Sequence, residues 1–420
     1  MAPPYCLIYA ELLLNIRQIS VLAVLETPCN TSTKAKLSDD GQQFILLHNG
    51  RLQTLHLPGK SLPNFRLQFP VLGSIELSWR IPWAAEATDI SRYDSHLSDV
   101  PWSAKCMDSQ TELTCRVCNE VILERGTIKI WKDLPSEDWA EMMDFWHCHK
   151  PDDHKDGMNS IKCTNCPKLS THNDCLVERA YGANSKISAQ PGVGLVDITT
   201  FLLRKEDCSK IQIEKPGFSF RGHRSVKCLQ CQTELGYYDT DFLGIKFYKW
   251  RIQYTNSLNP DSLSSSASPS FTLISSSSTN NTNPRLPASI FVMSKIISQM
   301  ASHLVTKFLL TPTTLPRCST KILLWIFGAS LRFSSSRSDV PSVSKSSLPY
   351  GQPAIKVFWK VVSGNDANNI RDNIGIEEVF LPSYVISEIE DALTSSSVLL
   401  PACSQKYQEW NVGLLERYEE

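Results

Sequence analysis

Short apolar runs recur through much of the first third of the chain, and pairs of turn-forming residues separate them. Ile19 to Leu25 and Gln43 to Leu47 are such runs; Asp40-Gly41, Asn49-Gly50 and Pro58-Gly59 are such pairs. That rhythm predicts a series of strands joined by hairpins. Leu67 to Trp83 repeats it, with Ile75 to Trp79 alternating apolar and polar. The N-terminal part is therefore predicted to be all-β.

Short strand-like runs also flank two C-x-x-C pairs. Leu113-Thr114 precede Cys115/Cys118 and Val121 to Leu123 follow; Ser225-Val226 precede Cys228/Cys231 and Leu235 to Tyr238 follow. Each pair is thereby predicted at a hairpin tip, the usual seat of a zinc knuckle.

From Asn256 to Pro287 the composition collapses into Ser, Asn, Thr and Pro. Such a stretch buries too little apolar area to offset its chain entropy, so it is predicted to be a disordered linker or insertion. Beyond it, Ile290, Met293, Ile297, Met300, Leu304 and Phe308 recur at spacings of three and four, predicting an amphipathic helix over Ile290 to Leu310. Two apolar runs, Ile322 to Phe327 and Ala354 to Trp359, predict a strand pair, and Leu381 to Leu393 reads as a second helix with Val385, Ile389 and Leu393 on one face.

At 420 residues the chain exceeds the size at which one core usually stops growing. The expected organisation is a β-rich domain over 1–255, a linker over 256–287 and a smaller part over 288–420. The expected fold class is α+β, mainly β: a zinc-pinned β-rich N-terminal domain with a smaller α+β C-terminal part. Hydrophobic residues make up 42%, ample for a core, and the formal net charge is -1. That balance gives no global pull toward nucleic acid or an anionic membrane surface, and neither is an expected partner.

Glu11, Arg17 and Glu26 interrupt the apolar N-terminal runs, so no secretory signal is expected. No run of about 18 uncharged apolar residues is available to span a bilayer. The 14 cysteines are then expected to be reduced, in cytoplasm and nucleus, where C-x-x-C spacings read as metal or redox sites.

Cys115, Cys118, Cys228 and Cys231 supply four soft ligands in two clips, enough to close a tetrahedral structural zinc site; redox-active pairs are the alternative. Cys163 and Cys166, with His172 and Cys175 following, have the donors for a second metal site or are unliganded loop residues. Between the main pairs, Pro135-Ser136 opens a predicted helix with Glu137 and Asp138 in its first turn. Trp139, Met142, Met143 and Trp146 form its apolar stripe. Pro151 stops it, leaving His147, Cys148 and His149 at its C-terminal end. That end disfavours a thiolate, so Cys148 suits metal coordination, which itself removes the proton, better than nucleophilic attack; a partly buried Cys between capping histidines is the plainer reading.

The segment from Leu134 to Pro151 resembles the HECT-like ubiquitin ligase family, the ubiquitin-conjugating-enzyme-binding proteins. The resemblance extends to both C-x-x-C pairs, to Gly244 to Trp250 and to Trp410 to Leu415. It implies a ubiquitin-protein ligase that takes ubiquitin from a conjugating enzyme and transfers it to protein lysines. A thioester route needs a cysteine nucleophile. Of Cys318 and Cys403 in the C-terminal half, Cys403 is nearer the chain end, as in HECT ligases, but lacks their preceding Thr and has no neighbouring His or acid in sequence. The family is also similar to factors that accompany the zinc endonuclease of mRNA 3′-end cleavage and polyadenylation. That likeness implies a non-enzymatic assembly factor in which Trp146, His147, Cys148 and His149 grip the partner's metal centre.

Overall fold

A computed structural model describes residues 6–62, 65–84, 99–134, 187–215, 223–256, 285–313, 321–337, 351–362 and 375–419. They divide into two compact units, each assembled from separated stretches of chain: Met1–Trp102 with Pro216–Gly222 and Leu258–Glu420, and Ser103–Lys215 with His223–Ser257. The fold is α+β and mainly β, as the residue pattern implies, and both helices among the described residues belong to the C-terminal part.

The first unit opens with a hairpin of β1 (Cys6–Leu13) and β2 (Gln18–Leu25), turned at Arg17, whose φ is 51°. A small sheet follows, β3 (Lys34–Leu37), β4 (Gln43–His48) and β5 (Arg51–His56), and then β6 (Glu76–Pro82) pairs with β2. His48 faces Arg51 across a two-residue loop with positive φ at both Asn49 and Gly50. That is the primed turn an Asn-Gly pair favours, because its twist matches the strands.

The second unit holds β7 (Glu112–Cys115), β8 (Val121–Leu123), β9 (Ile130–Asp133), β10 (Val193–Val196), β11 (Thr200–Leu203) and β12 (Ile211–Ile213). Its last strands are β13 (Arg224–Cys228), β14 (Glu234–Asp239), β15 (Gly244–Tyr248) and β16 (Ile252–Thr255). Seven of these form one sheet in the order β12-β13-β14-β15-β11-β10-β9, and β16-β7-β8 form a separate three-stranded one.

The chain then returns to the first unit through α1 (Ala288–His303), β17 (Lys307–Pro312), β18 (Lys321–Ser335), β19 (Gln352–Val362) and β20 (Ile376–Leu381). Helix α2 (Ser383–Ser397) and strands β21 (Lys406–Tyr407) and β22 (Trp410–Glu416) complete it. The principal sheet runs β21-β22-β19-β18-β1-β2-β6, with β17 and β20 attached beside β18. Tyr9 of β1 lies opposite Ser335 of β18, so the first and last thirds of the chain share one sheet.

Strand β1 is buried on both faces. Ile8, Ala10 and Leu12 join Phe44, Leu46 and Trp79 in one core cluster, whereas Tyr9 points the other way into a cluster with Leu309, Phe333 and Leu414. Helices α1 and α2 pack on each other and on β22.

The helix expected over Ile290 to Leu310 is shorter. Leu304 adopts a left-handed conformation, φ 56°, and ends α1. Phe308, Leu309 and Leu310 instead lie in β17, which pairs with β18 on one side and β20 on the other, and all three are fully buried. The three-to-four spacing of Leu304 and Phe308 carries on past the helix only because an apolar strand begins at a matching interval; pairing on both edges outweighs local helical preference. The expected strand pair is present, with Trp325 opposite Phe358, and so is the second helix, as α2.

Candidate metal centre

The two C-x-x-C pairs have the same backbone. In the first, the Cys115 amide donates to the Glu120 carbonyl at 2.8 Å and the Asn119 amide to the Cys115 carbonyl at 2.8 Å. In the second, the Cys228 amide donates to Thr233 and the Gln232 amide to Cys228, each at 2.9 Å. Asn119 and Gln232, each four residues after the first cysteine, both have positive φ, 60° and 59°. A left-handed residue there folds the chain back so that both thiols of a pair face one point. Asn tolerates that conformation well and marks it in sequence; Gln does not.

The first pair caps β7 of the three-stranded sheet and the second caps β13 of the seven-stranded sheet. Cys115 Sγ lies 3.6 Å from Cys231 Sγ, and Cys118 Sγ lies 3.6 Å from Cys228 Sγ. All four sulfurs fall within 4.8 Å of one another. A tetrahedron with metal–sulfur bonds of about 2.3 Å has sulfur–sulfur edges of about 3.8 Å, so the donors fit one ion almost as they stand. Cys115 and Cys228 are buried, and Cys118 and Cys231 are half-buried. The cluster can hold a metal ion, which would tie the two sheets together.

Crowding and burial set the thiol chemistry. Burial raises the Cys115 thiol to about 12 and raises Cys118 as well. Burial also disfavours the Cys231 thiolate, but the Thr233 hydroxyl, 3.2 Å away, the Thr233 amide and the Cys118 and Cys115 thiols more than compensate, bringing it down to about 6. One sulfur is thus poised to lose its proton, and a bound cation would strip the rest. Thr233 escaped the sequence reading, because nothing in the pattern distinguishes a hydroxyl that reaches back to a sulfur.

Cys403 sits in a short turn, Ala402–Ser404, far along the chain from the cluster. It is the exposed free cysteine among the described residues. Burial of its sulfur and the Glu76 carboxylate push its thiol above the ordinary value, against an opposing contribution from the Ser404 hydroxyl. Trp146, His147, Cys148 and His149 lie outside the described residues, as do Cys163, Cys166, His172 and Cys175, the helix expected from Ser136 and residues 257–284 of the expected linker.

The Gly244 to Trp250 stretch is core. Ile245 and Phe247 are fully inaccessible, and Tyr248 and Trp250 stack at 4.8 Å between ring centroids. Lys249 is also fully buried, its ammonium 5.4 Å from the Phe201 ring centroid. Burial holds it down to about 7, although Asp197, Asp133 and Cys106 favour its charged form. No helix among the described residues is long and apolar enough to cross a membrane.

These features define a two-unit, mainly β protein with a four-cysteine cluster that can hold a metal ion. The family described as HECT-like ubiquitin-conjugating enzyme (E2)-binding matches residues 11–412, nearly the whole chain, and the protein belongs to that family. It is similar to an uncharacterized protein of Saccharomyces cerevisiae, 21% identical over 347 residues that make up 80% of this chain and 79% of the relative. An uncharacterized protein of Schizosaccharomyces pombe is 22% identical over 349 residues, 83% and 80% of the two chains. No solved structure matches.

Proposed function

We propose that the protein is a ubiquitin-protein ligase, which binds a ubiquitin-charged conjugating enzyme and passes the ubiquitin to lysines of other proteins. The match to the conjugating-enzyme-binding family over residues 11–412 carries this reading. Zinc is the ion proposed for Cys115, Cys118, Cys228 and Cys231, because four thiolates select a soft, tetrahedral cation over hard, oxygen-seeking ones. Four sulfur ligands leave no open position, so zinc here supplies structure and no step of the transfer.

In the thioester route the Cys403 sulfur, as thiolate, attacks the thioester carbonyl of the charged enzyme. The new bond to Cys403 forms as that enzyme's thiolate leaves, and a substrate amine then displaces Cys403 to make an isopeptide bond. Exposure supports Cys403 for this role. Its raised thiol means that the bound conjugating enzyme or the substrate must supply the base.

That raised thiol favours a second reading, the non-enzymatic assembly factor that grips the zinc endonuclease of mRNA 3′-end cleavage through Trp146, His147, Cys148 and His149. One experiment separates them: purified protein is incubated with ubiquitin-charged conjugating enzyme and resolved without reductant. A reductant-sensitive ubiquitin adduct in the wild type, lost in Cys403→Ser, is the expected result for the ligase. No adduct and no ubiquitin transfer to lysine, together with Cys148-dependent co-purification of the endonuclease, would establish the second reading instead.

A further inference from the structure

Helix α1 covers a cavity of about 370 Å³ in the first unit. One wall is apolar: Ile290, Met293, Ile297 and Met300, spaced by three and four residues, with Ile355 of β19 also lining the space. Ser294, Ser298 and Ser302 run along the adjoining flank of α1. The Ser294 and Ser302 hydroxyls donate to the carbonyls four residues back, at 3.0 and 3.1 Å, which leaves their oxygens free to accept and gives the flank a mild polarity.

Arg417, which follows β22, also lines the cavity and is only 5% exposed. Its Nη2 is buried and makes no hydrogen bond, and among the described residues Arg417 forms no ion pair. The neighbouring guanidinium of Arg332, by contrast, has an ion pair with Glu419 and donates to the Gly351 carbonyl at 3.3 Å, although its Nε is also buried without a hydrogen bond. A guanidinium cannot shed its charge by deprotonation, and burying it without a partner is strongly unfavourable. The Glu419 carboxylate that favours the Arg417 charge is bonded to Arg332, and Asp99, the acid lining the cavity, acts on Arg417 without an ion pair.

We propose that this cavity is a binding site for an amphipathic monoanion, an apolar chain or ring bearing one carboxylate. The carboxylate meets the Arg417 fork and the apolar body lies along Ile290, Met293, Ile297 and Met300. The size falls in the range of small-ligand pockets, and a mostly apolar wall with one fixed charge is their usual makeup. A planar fork matches a carboxylate with two parallel hydrogen bonds, which a hydroxyl or an amide cannot return. Asp99 opposes an anion and so moderates the affinity.

Titration calorimetry of the full chain with decanoate, and with decanol as the neutral control, tests this. Decanoate binds and decanol binds at least about tenfold more weakly, the loss of one charge-assisted interaction. Arg417→Gln reduces decanoate affinity by a similar factor and leaves the response to decanol unchanged, whereas Asp99→Asn tightens decanoate. Met293→Trp, which fills the cavity and leaves the Arg417 side chain in place, abolishes both, and a retained circular dichroism spectrum shows that each variant is folded. A short peptide ending in an apolar residue with a free carboxylate, compared with its C-terminal amide, tells a polypeptide terminus from a free acid as the source of the same chemistry. Equal affinity for decanoate and decanol, or undiminished decanoate binding in Arg417→Gln or Met293→Trp, would overturn the proposal, as would no binding of either acid.

Discussion

The two units solve the problem of stability differently. In the first, β1 is covered on both faces and β18 and β19 run for 15 and 11 residues, so long strands bury Ile8, Tyr9, Phe308 and Leu324 completely. In the second, no strand among the described residues exceeds 6 residues, and β8 and β12 have only 3 each. Short strands expose much of their edge and bury little area apiece, and small cores of that kind are the ones that recruit a metal. Hydrophobic burial suffices where the chain offers long strands. Where it does not, four sulfurs bridge two sheets.

The largest expected effect follows directly. Cys115→Ser, or removal of zinc by a chelator, should melt the second unit while sparing the first. Structural zinc contributes roughly 10 kcal/mol in small domains, so the loss should exceed the unit's own margin. Calorimetry should show two transitions, of which only one moves, alongside loss of bound zinc measured by atomic absorption. A single transition that shifts as a whole, or unchanged zinc content, would erase the contrast.

The complementary change is Phe308→Ala, at a fully buried position of β17. It leaves a cavity in the first unit and should cost about 3–5 kcal/mol there, lowering the other transition with zinc retained. The two substitutions together form a double dissociation, and a Phe308→Ala protein that releases zinc would break it.

Lys249 adds a pH dependence confined to the second unit. Its folded pKa, held down to about 7 by burial, lies below the ordinary 10.5. Between those values the unfolded chain binds a proton that the folded chain has released, so stability rises with pH across that window. The penalty of burying the charge is complete below about pH 7 and gone above 10.5. Lys249→Met should therefore stabilise the second unit most below pH 7, by a few kcal/mol, and the gain should shrink toward alkaline pH. Denaturant titrations of wild type and variant across that range measure the difference, and a gain independent of pH would refute it.

Gly236→Ala should have the smallest of these effects. A Cβ at Gly236 would lie 2.0 Å from the Lys246 carbonyl oxygen of β15, so the two strands must part. Such overpacking costs about 1–3 kcal/mol, read as a lower midpoint of the second unit's transition.

Much of the metal centre was legible in the residues. The C-x-x-C spacing, the strand-like runs around each pair and the chemistry of thiols point to paired knuckles, and the pairs do meet. The strands of the N-terminal part and the Asn49-Gly50 turn were equally legible, since alternation and turn chemistry are local. Helix α1 was read too long because Phe308 keeps helical spacing, while its strand identity depends on β18 and β20, which lie elsewhere in sequence. The Gly244 to Trp250 stretch, which carried part of the family resemblance, supplies β15, an inner strand of the seven-stranded sheet, and the turn after it.

The sequence by itself determined the elements and the ligands, because strand alternation, turns and thiol donors are properties of neighbouring residues. Tertiary structure alone decided the rest: that β1 pairs with β18 across the whole chain, that Cys115 stands 3.6 Å from Cys231, and that Arg417 is buried beside α1. Those facts depend on long-range pairing and desolvation, which are free energies of the assembled molecule and leave no signature in the spacing of residues along it.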